Sequence, residues 1–486
     1  MNLKRLFIYC FCSEARIKES SIIPEFSADA LDQAIRFFLY VLVFWLPYSP
    51  AVVETCVIIS VVLWFIKRAV LCKKKFFSGR NGLSQGQYLL NSFRPPRSLL
   101  DWPIVLFLTV CFFSAAGSIF YDRALEDLIT KILEWFAVYW LVLEVIKDKK
   151  HLKIVFAIFF FTAVSTAVDA VVQFHITLKD IFNGHSIVED RRATAGLNAP
   201  SSLGAYLALV IPIMLSWTFL TKRPFFGKMT MVLVCGVFVW ALALTFSRGA
   251  WLATVLGSGL LLGMYIYYRS GWDSRLAYGM IGVLIVGAAL MAWGLNRPVV
   301  LKFLHRADTA QWRIRVWEDT IQMIQDRPLL GHGVNTYMPI FQSYRRDPGN
   351  HPTYAHNCYF QLTAEVGLLG ILIFVSMLFY VFKESLEKAR ILVEKEDRLM
   401  IYCLTSEVPI EEGSVIPKRS ELSDSDFANL PRLGILSLGL ISGIFAFWAH
   451  SFFDTNLYSL QLSVYIWFMT AVQIRINQLG ASRSGE

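Results

Sequence analysis

Arg248 is a charged residue between two long apolar runs, and it could bind an anionic group. It stands in the segment 244–251, LTFSRGAW. An arginine that faces lipid costs several kcal/mol, about 2.5–3.5 on insertion scales, so such a residue normally faces a cavity or a partner. Its planar guanidinium suits phosphate oxygens, which it can bind through two parallel hydrogen bonds. The alternative is an interfacial anchor at the end of a helix.

A pair of arginines, Arg191 and Arg192, could contribute to the same anion site. They precede Gly196 and Pro200, where a helix is predicted to begin. The pair could simply reflect the charge pattern of a loop. If the loop lies on the same face as Arg248, however, the three guanidinium groups would form a cationic pocket.

Arg313 and Arg315 lie in a predicted amphipathic helix that begins near Trp312. Its apolar stripe has helical spacing and consists of Ile314, Trp317, Ile321 and Ile324. The helix should stop at the segment 326–328, DRP, and the segment 331–333, GHG, should turn the chain. Because Arg313 and Arg315 are two residues apart, they point to different faces, and at most one can enter a shared pocket. The alternative is an interfacial helix with snorkelling arginines.

His356 is the candidate general base. It precedes Asn357, a good N-cap for the apolar helix that follows, so the imidazole should stand at the mouth of that helix. A neutral histidine can accept a proton near pH 7. The alternative is an ordinary histidine in a capped loop. His332 and His351 share the same loop but have no helix to fix them.

Glu365 lies nine residues after His356, about two and a half turns into the same helix. An unpaired carboxylate is costly there, so we expect Glu365 to hydrogen-bond a neighbouring helix or an arginine. We expect Gly367 and Gly370 to permit close helix packing.

The composition identifies the setting of these residues as a membrane. Of 486 residues, 55% are hydrophobic and 17% charged, whereas soluble domains carry about 25% charge. A soluble enzyme, a disordered chain and a collagen-like fibre are thereby excluded. The eight cysteines show no CxxC and no paired spacing, which argues against a disulfide framework or a zinc site.

About twelve membrane-spanning helices are predicted, since a bilayer core needs roughly 20 apolar residues as helix. They lie near 31–48, 51–68, 102–120, 128–146, 154–174, 199–219, 229–246, 250–268, 276–295, 359–382, 432–450 and 458–475. The fold is therefore expected to be an all-α polytopic membrane protein. The segments outside these spans are an N-terminal arm, 1–30, a partly helical loop, 296–358, an insert, 383–431, expected to be partly disordered, and a tail, 476–486.

The placement of Lys and Arg predicts the orientation, because short cytoplasmic loops are enriched in both. The loops 69–101, 147–153 and 220–228 are basic and fall on one side when the helices alternate, whereas 49–50, 121–127 and 451–457 hold a single arginine. The termini and the insert are therefore expected to be cytoplasmic. The loops 175–198 and 296–358 and the break 247–249 then share the outer face.

Four motifs in this order resemble the O-antigen ligase and polymerase superfamily. They are Ser247 to Trp251, Arg313-x-x-x-Trp317, Asp326 to Gly333, and His356-Asn357 with Glu365-x-Gly367-x-x-Gly370. The loop from Arg192 to Tyr206 also looks like the family's preceding loop, although Ser201 stands where an asparagine is expected.

This resemblance implies a glycosyltransferase of the bacterial inner membrane that faces the periplasm and needs no metal or cofactor. Its donor would be a glycan on undecaprenyl diphosphate. A ligase passes the glycan to a sugar hydroxyl of lipid A–core, and a polymerase passes it to another carrier-linked repeat unit. His356 would be the base, Arg248, Arg313 and Arg192 would hold the diphosphate, and Glu365, Asn357, Arg191 and Arg315 would support them. Membrane lipids are the other expected partners, and binding to nucleic acid is not expected.

Two other classes stay open on the sequence alone. A polytopic transporter would place its binding charges near the bilayer midplane, whereas here the candidates gather at one surface. A scaffold of an envelope assembly would need neither the arginines nor His356.

Overall fold

The computed structural model describes residues 27–77, 93–189, 191–219, 224–268, 307–346, 354–405 and 433–481. Within these ranges the chain forms helices joined by turns and contains no β-strand, apart from one isolated bridge between Lys179 and Ser186. The predicted all-α class is confirmed.

The described helices are numbered here in chain order. They are α1 (Ala28–Trp45), α2 (Pro50–Phe77), α3 (Asp101–Ala116), α4 (Tyr121–Asp127), α5 (Leu133–Val145), α6 (Lys149–Val172), α7 (Pro200–Phe219), α8 (Phe225–Leu244), α9 (Arg248–Tyr268), α10 (Ala307–Asp326), α11 (Tyr337–Phe341), α12 (Cys358–Thr405), α13 (Leu433–His450) and α14 (Leu460–Ala481). Single π-helical turns follow α4, at Leu128–Ile132, and α6, at Gln173–Thr177.

Seven of these helices are long and apolar enough to cross a membrane. They are α2, α6, α7, α8, α9, α13 and the part of α12 up to Glu394. Eleven of the predicted spans coincide with described helices, while 276–295 lies outside the described residues. The count of about twelve spans therefore stays a prediction.

The insert predicted for residues 383–431 begins as helix, because α12 continues to Thr405, and its boundaries stay a prediction. The extension is helical because one of its faces packs against the last two helices. Ser385 is buried and accepts a hydrogen bond from Asn477 Nδ2 (3.2 Å), and Glu396 accepts one from the backbone N–H of Gly434 (2.9 Å). The last helix likewise continues past the predicted end at residue 475, to Ala481.

Helices α7 and α13 form the centre of the bundle, where most of their residues are buried. Their backbones approach closely because a glycine faces the partner: a Cβ at Gly443 would lie 2.3 Å from the carbonyl oxygen of Leu209. Helix α9 packs against both. A Cβ at Gly204 would lie 2.7 Å from Cβ of Ala250, so the N-terminal turns of α7 and α9 are neighbours.

The end of the bundle that holds the turns 46–49, 245–247 and 451–459 is called the site end. Asn183 Nδ2 donates to the carbonyl oxygens of Tyr48 and Gly196, both at 2.9 Å. The opposite end carries a paired charge cluster, in which Lys67 contacts Asp32 and Glu144, both at 2.5 Å. Its basic residues agree with the predicted cytoplasmic side, and the orientation itself stays a prediction.

Helix α12 is broken at Gly367, which has φ +71° and ψ −178°. The segment 328–333, PLLGHG, lies against this break and pairs with the backbone on both sides of it. Pro328 and Leu329 accept hydrogen bonds from the N–H groups of Leu368 (2.7 Å) and Leu369 (3.3 Å). His332 and Gly333 donate to the carbonyl oxygens of Ala364 (3.0 Å) and Glu365 (2.9 Å). Gly367 therefore allows a positive φ that other residues rarely adopt, in addition to the close packing predicted from the sequence.

We predict that Gly367→Ala destabilises the protein by more than about 2 kcal/mol, because a left-handed φ alone costs roughly 1–2 kcal/mol for a residue with a Cβ. The new Cβ would also lie 2.1 Å from the carbonyl oxygen of Leu329. Thermal unfolding of the purified protein in detergent measures the loss. Gly236→Ala in α8, where a Cβ meets nothing within 4 Å, is the matched control and should not lower the melting temperature. Equal melting temperatures for the two variants would show that the break tolerates a side chain.

Candidate active site

His356 is held at the N-terminus of α12, where it has φ +51°. Asn357 Oδ1 accepts hydrogen bonds from the N–H groups of Tyr359 (2.9 Å) and Phe360 (3.1 Å), so the predicted N-cap is confirmed. The preceding residue is also fixed, because Trp317 Nε1 donates to the carbonyl oxygen of Ala355 (2.9 Å). The imidazole is part exposed, so it can still meet a substrate.

The partner of His356 is Asp454, whose Oδ1 lies 3.3 Å from Nδ1 of the imidazole. An ionised carboxylate only accepts hydrogen bonds, so Nδ1 carries the proton when this bond forms with the neutral ring. The lone pair of a neutral His356 is then on Nε2. This is the tautomer that a general base needs.

Asp454 lies in the turn between α13 and α14, and its environment keeps it ionised. Burial alone would raise the pKa of Asp454, but the hydrogen bonds of its carboxylate with His356 and the Ser201 side chain, together with the electrostatic effect of His450, outweigh burial and hold this pKa well below its usual range. The backbone N–H of Thr455 also donates to Oδ1 (2.9 Å). Asp454 thus joins α7, α12 and α13 at one point.

Arg313 reaches the same turn from α10. Its Nη1 donates to the carbonyl oxygen of Phe453 (3.0 Å), the residue before Asp454. Burial is the main cause that lowers the pKa of Arg313; Asp454 opposes the shift, and Arg248 adds to it by repulsion. Both Asp454 and Arg248 therefore act electrostatically on the Arg313 guanidinium.

Arg248 is the first residue of α9, as the predicted break required, and its side chain is exposed. Its neighbour Gly249 packs against the turn that carries Asp454: a Cβ there would lie 2.7 Å from Cβ of Phe453. Within the described ranges, no hydrogen bond or ion pair engages the Arg248 guanidinium, which is exposed to solvent.

Of the neighbouring arginines, Arg192 is tied to the turn before Arg248. Its Nε donates to the carbonyl oxygen of Thr245 (2.9 Å). Arg191 is exposed and has φ +47°. Arg315 is exposed, whereas Arg313 points to Phe453, so the two do lie on different faces of α10.

The apolar stripe predicted for α10 is wrong in part. Ile314 and Ile321 are 51% and 40% exposed, while Val316 and Met323 are fully buried. The buried face differs from the predicted one because α10 packs on α12 and on the short helix α11. At the contact with α11, Thr320 Oγ1 lies 2.7 Å from the hydroxyl oxygen of Tyr337.

Of the rival histidines, His332 lies away from His356. His332 is buried, its Nε2 lies 2.9 Å from the carbonyl oxygen of Met323, and burial lowers the pKa of His332. Its position beside the break at Gly367 indicates a structural role. His351 lies outside the described residues.

Glu365 accepts hydrogen bonds from two neighbouring segments and from its own helix. Its Oε2 accepts from the Tyr458 hydroxyl (2.8 Å) and from the backbone N–H of Asn335 (2.9 Å). Its Oε1 accepts from Gln361 Nε2 (3.2 Å). The expected bond to a neighbouring helix is realised through the turn that precedes α14, and none of the three donors is an arginine.

Asp454 and Tyr458 are the residues that the sequence analysis missed. Both lie in a short turn with the sequence SFFDTNLY, at residues 451–458. The available signal was the carboxylate itself, because it is the one acidic residue between two long apolar spans.

We predict that the stabilising effect of Asp454 depends on pH. An aspartate whose folded pKa is lowered contributes stability above its unfolded pKa, near 3.9, and this contribution is lost as the pH falls below that value. The melting temperature of wild type should therefore exceed that of Asp454→Asn at pH 7, and the difference should shrink between about pH 4 and pH 3. A difference that stays constant over this range would contradict the assignment of Asp454 as an ionised carboxylate.

The comparison with known proteins agrees with the resemblance noted in the sequence. Residues 233–375 match the family described as O-Antigen ligase. This segment includes Arg248, Arg313, His356 and Glu365, whereas Arg192 and Asp454 lie outside it. No curated protein matches the chain. The match supports the O-antigen ligase superfamily and an O-antigen ligase- or polymerase-type function.

Proposed function

We propose that this chain with an O-antigen ligase domain transfers a glycan from undecaprenyl diphosphate to a sugar hydroxyl of lipid A–core. The observation that carries the proposal is the meeting of His356, Arg313 and the Arg248 turn around Asp454. A base, its carboxylate partner and two arginines then lie together at the site end. The enzyme would work at the periplasmic face of the inner membrane, as the distribution of Lys and Arg predicts.

The arginines would stabilise the leaving group. Negative charge develops on the diphosphate as the bond from the sugar C1 to the phosphate oxygen breaks, and preplaced cations stabilise this charge most where water is excluded. Arg248 offers an exposed guanidinium, and Arg313 lies beside it with part of its fork bound to Phe453. Arg192, which holds the turn before Arg248, is a third ligand in this proposal.

His356 would remove the proton of the acceptor hydroxyl. Its Nδ1 bond to Asp454 leaves Nε2 to accept this proton, and the ionised Asp454 would stabilise the imidazolium that results. The acceptor oxygen then attacks C1, and the carrier diphosphate leaves with the bonding electrons. In this proposal the positive charges of the arginines take the role that a metal has in other transferases.

Two alternatives concern the acceptor and the class of protein. A polymerase would use the same base and arginines with a carrier-linked repeat unit as acceptor. A transporter would need its charged groups along a path through the bundle, whereas these candidates gather at the site end. The assay described next separates all three, because it scores which acceptor gains sugar.

We predict that His356→Ala lowers the rate of glycan transfer by a factor of order 10²–10⁴ because the general base is lost. The purified protein is incubated with carrier-linked glycan and either lipid A–core or a second carrier-linked unit, and products are separated by mass. Donor binding should persist, because the arginines remain. Chelator should leave the wild-type rate unchanged.

His175→Ala is the matched control for this measurement. His175 is an exposed histidine at the site end. It stacks on Trp240 and accepts a hydrogen bond from the indole N–H, and neither contact involves Asp454. Its variant should transfer glycan at the wild-type rate. Full activity in His356→Ala, or loss of wild-type activity in chelator, would overturn the mechanism.

We predict that Arg248→Lys transfers glycan roughly ten- to a hundredfold more slowly, although the charge is preserved, because one charge-assisted pair contributes about 1.5–3 kcal/mol. A lysine cannot reproduce the two parallel hydrogen bonds of a guanidinium to phosphate. Arg390→Lys is the control, since Arg390 is exposed on the distal part of α12 and pairs with Glu394. A normal rate in Arg248→Lys would indicate an interfacial anchor.

A further inference from the structure

We propose that Glu365 is a positioning residue that sets the geometry between His356 and Asp454 through hydrogen bonds. This inference rests on the proposed function and adds a residue that touches neither substrate nor the reacting atoms. Glu365 is buried, and its two oxygens accept hydrogen bonds along separate routes. One route leads through Gln361 to the backbone beside His356, and the other through Tyr458 to the turn that carries Asp454.

The first route runs up the first turns of α12. Gln361 Nε2 donates to Glu365 Oε1 (3.2 Å), and Gln361 Oε1 accepts the backbone N–H of Ala355 (3.0 Å). Ala355 immediately precedes His356, whose positive φ makes its orientation sensitive to the backbone before it. The amide orientation of Gln361 is therefore fixed, because a backbone N–H can only donate and a carboxylate only accept.

The second route enters the turn 451–459. The Tyr458 hydroxyl donates to Glu365 Oε2 (2.8 Å), and the N–H of Tyr458 donates to the carbonyl oxygen of Thr455 (3.1 Å). Thr455 in turn donates its N–H to Oδ1 of Asp454 (2.9 Å). One carboxylate thus fixes the backbone next to the base and the turn that holds its partner.

Glu365→Gln separates the roles of charge and of hydrogen bonding. Oε2 must accept two donors, so the new amide oxygen belongs there and the new NH2 group faces Gln361 Nε2. The amide N–H groups of residues 361 and 365 would then face each other without an acceptor between them. If Gln361 flips to accept, its own NH2 faces the N–H of Ala355 instead, and the conflict moves to the residue beside His356.

Exchanging the two side chains removes this conflict. In Gln361→Glu/Glu365→Gln, the carboxylate at position 361 accepts both the N–H of Ala355 and the new NH2 at position 365. The amide oxygen at position 365 still accepts from Tyr458 and Asn335. The double variant keeps the total charge and every hydrogen bond of the route, so it should recover what the single variant loses.

The experiment measures transfer kinetics, melting temperature and the reactivity of His356 in full-length protein. In Glu365→Gln, kcat should fall about ten- to a hundredfold, since a displacement near 1 Å can cost this much, while KM for the donor changes little. The rate at which diethyl pyrocarbonate modifies His356, followed by peptide mass spectrometry, should rise as the imidazole leaves Asp454. Both quantities should return toward wild type in the double variant.

Two further variants keep the outcome interpretable. Gln361→Met leaves the Ala355 N–H without its acceptor but keeps Glu365, and should reproduce the loss of kcat. Gln473→Glu is the control, because Gln473 is a buried glutamine of α14 that bonds Ser437 (2.7 Å) and Asn477 (2.9 Å) away from the site. It should lower the melting temperature and leave kcat unchanged.

Wild-type kcat and His356 reactivity in Glu365→Gln would overturn the proposal. So would a double variant that melts like wild type but recovers neither quantity. If wild type itself transfers no glycan, the proposed function fails, and the reactivity of His356 across the same variants still decides whether Glu365 positions it.

Discussion

The break of α12 at Gly367 is the constraint on which the rest of the site end depends. A helix that crosses a membrane cannot leave backbone N–H and C=O groups unpaired, because lipid offers them no partner. The segment 328–333 supplies the missing donors and acceptors on both sides of the break, and Ser114 Oγ donates to the carbonyl oxygen of Glu365 (2.7 Å) as well. The segment that follows α10 is thereby tied to the bundle by its backbone.

This attachment explains how residues far apart in sequence reach one another. Because the end of α10 is held at the break, Arg313 further up the same helix reaches Phe453, and Trp317 reaches the carbonyl oxygen of Ala355. Before the break, α12 carries Glu365 and Gln361 on consecutive turns, and His356 immediately precedes its cap at Asn357. The close packing of α7, α9 and α13 brings the Arg248 turn to the same place. Helices therefore position Arg313 and Arg248, whereas Asp454 lies on a short turn.

Local signals in the sequence predicted the parts of this arrangement that are decided locally. The cap at Asn357, the start of α9 at Arg248 and the end of α10 at Asp326 each follow from residues within one helical turn. The buried face of α10 differs from the predicted stripe because α11 and α12 determine which residues are covered. The helical extension of α12 has no local signal, because packing against the last two helices stabilises it. Asp454 has no spacing pattern at all; only the folded chain brings it to His356.

The charges at the site end are arranged so that an anion would complete them. Asp454 is engaged by His356 and Ser201, so it offsets only part of the positive charge of Arg313, and Arg248 raises the local potential further. Two neighbouring guanidinium groups repel each other, and in the proposed function a diphosphate between them would attract both and offset that repulsion. In the proposed transfer, the negative charge that grows as the sugar leaves the carrier would strengthen the same contacts, and the proton that His356 would take up would lie beside the ionised Asp454. The two charges that the proposed reaction would create thus have separate counter-charges, which lie on different elements of the fold.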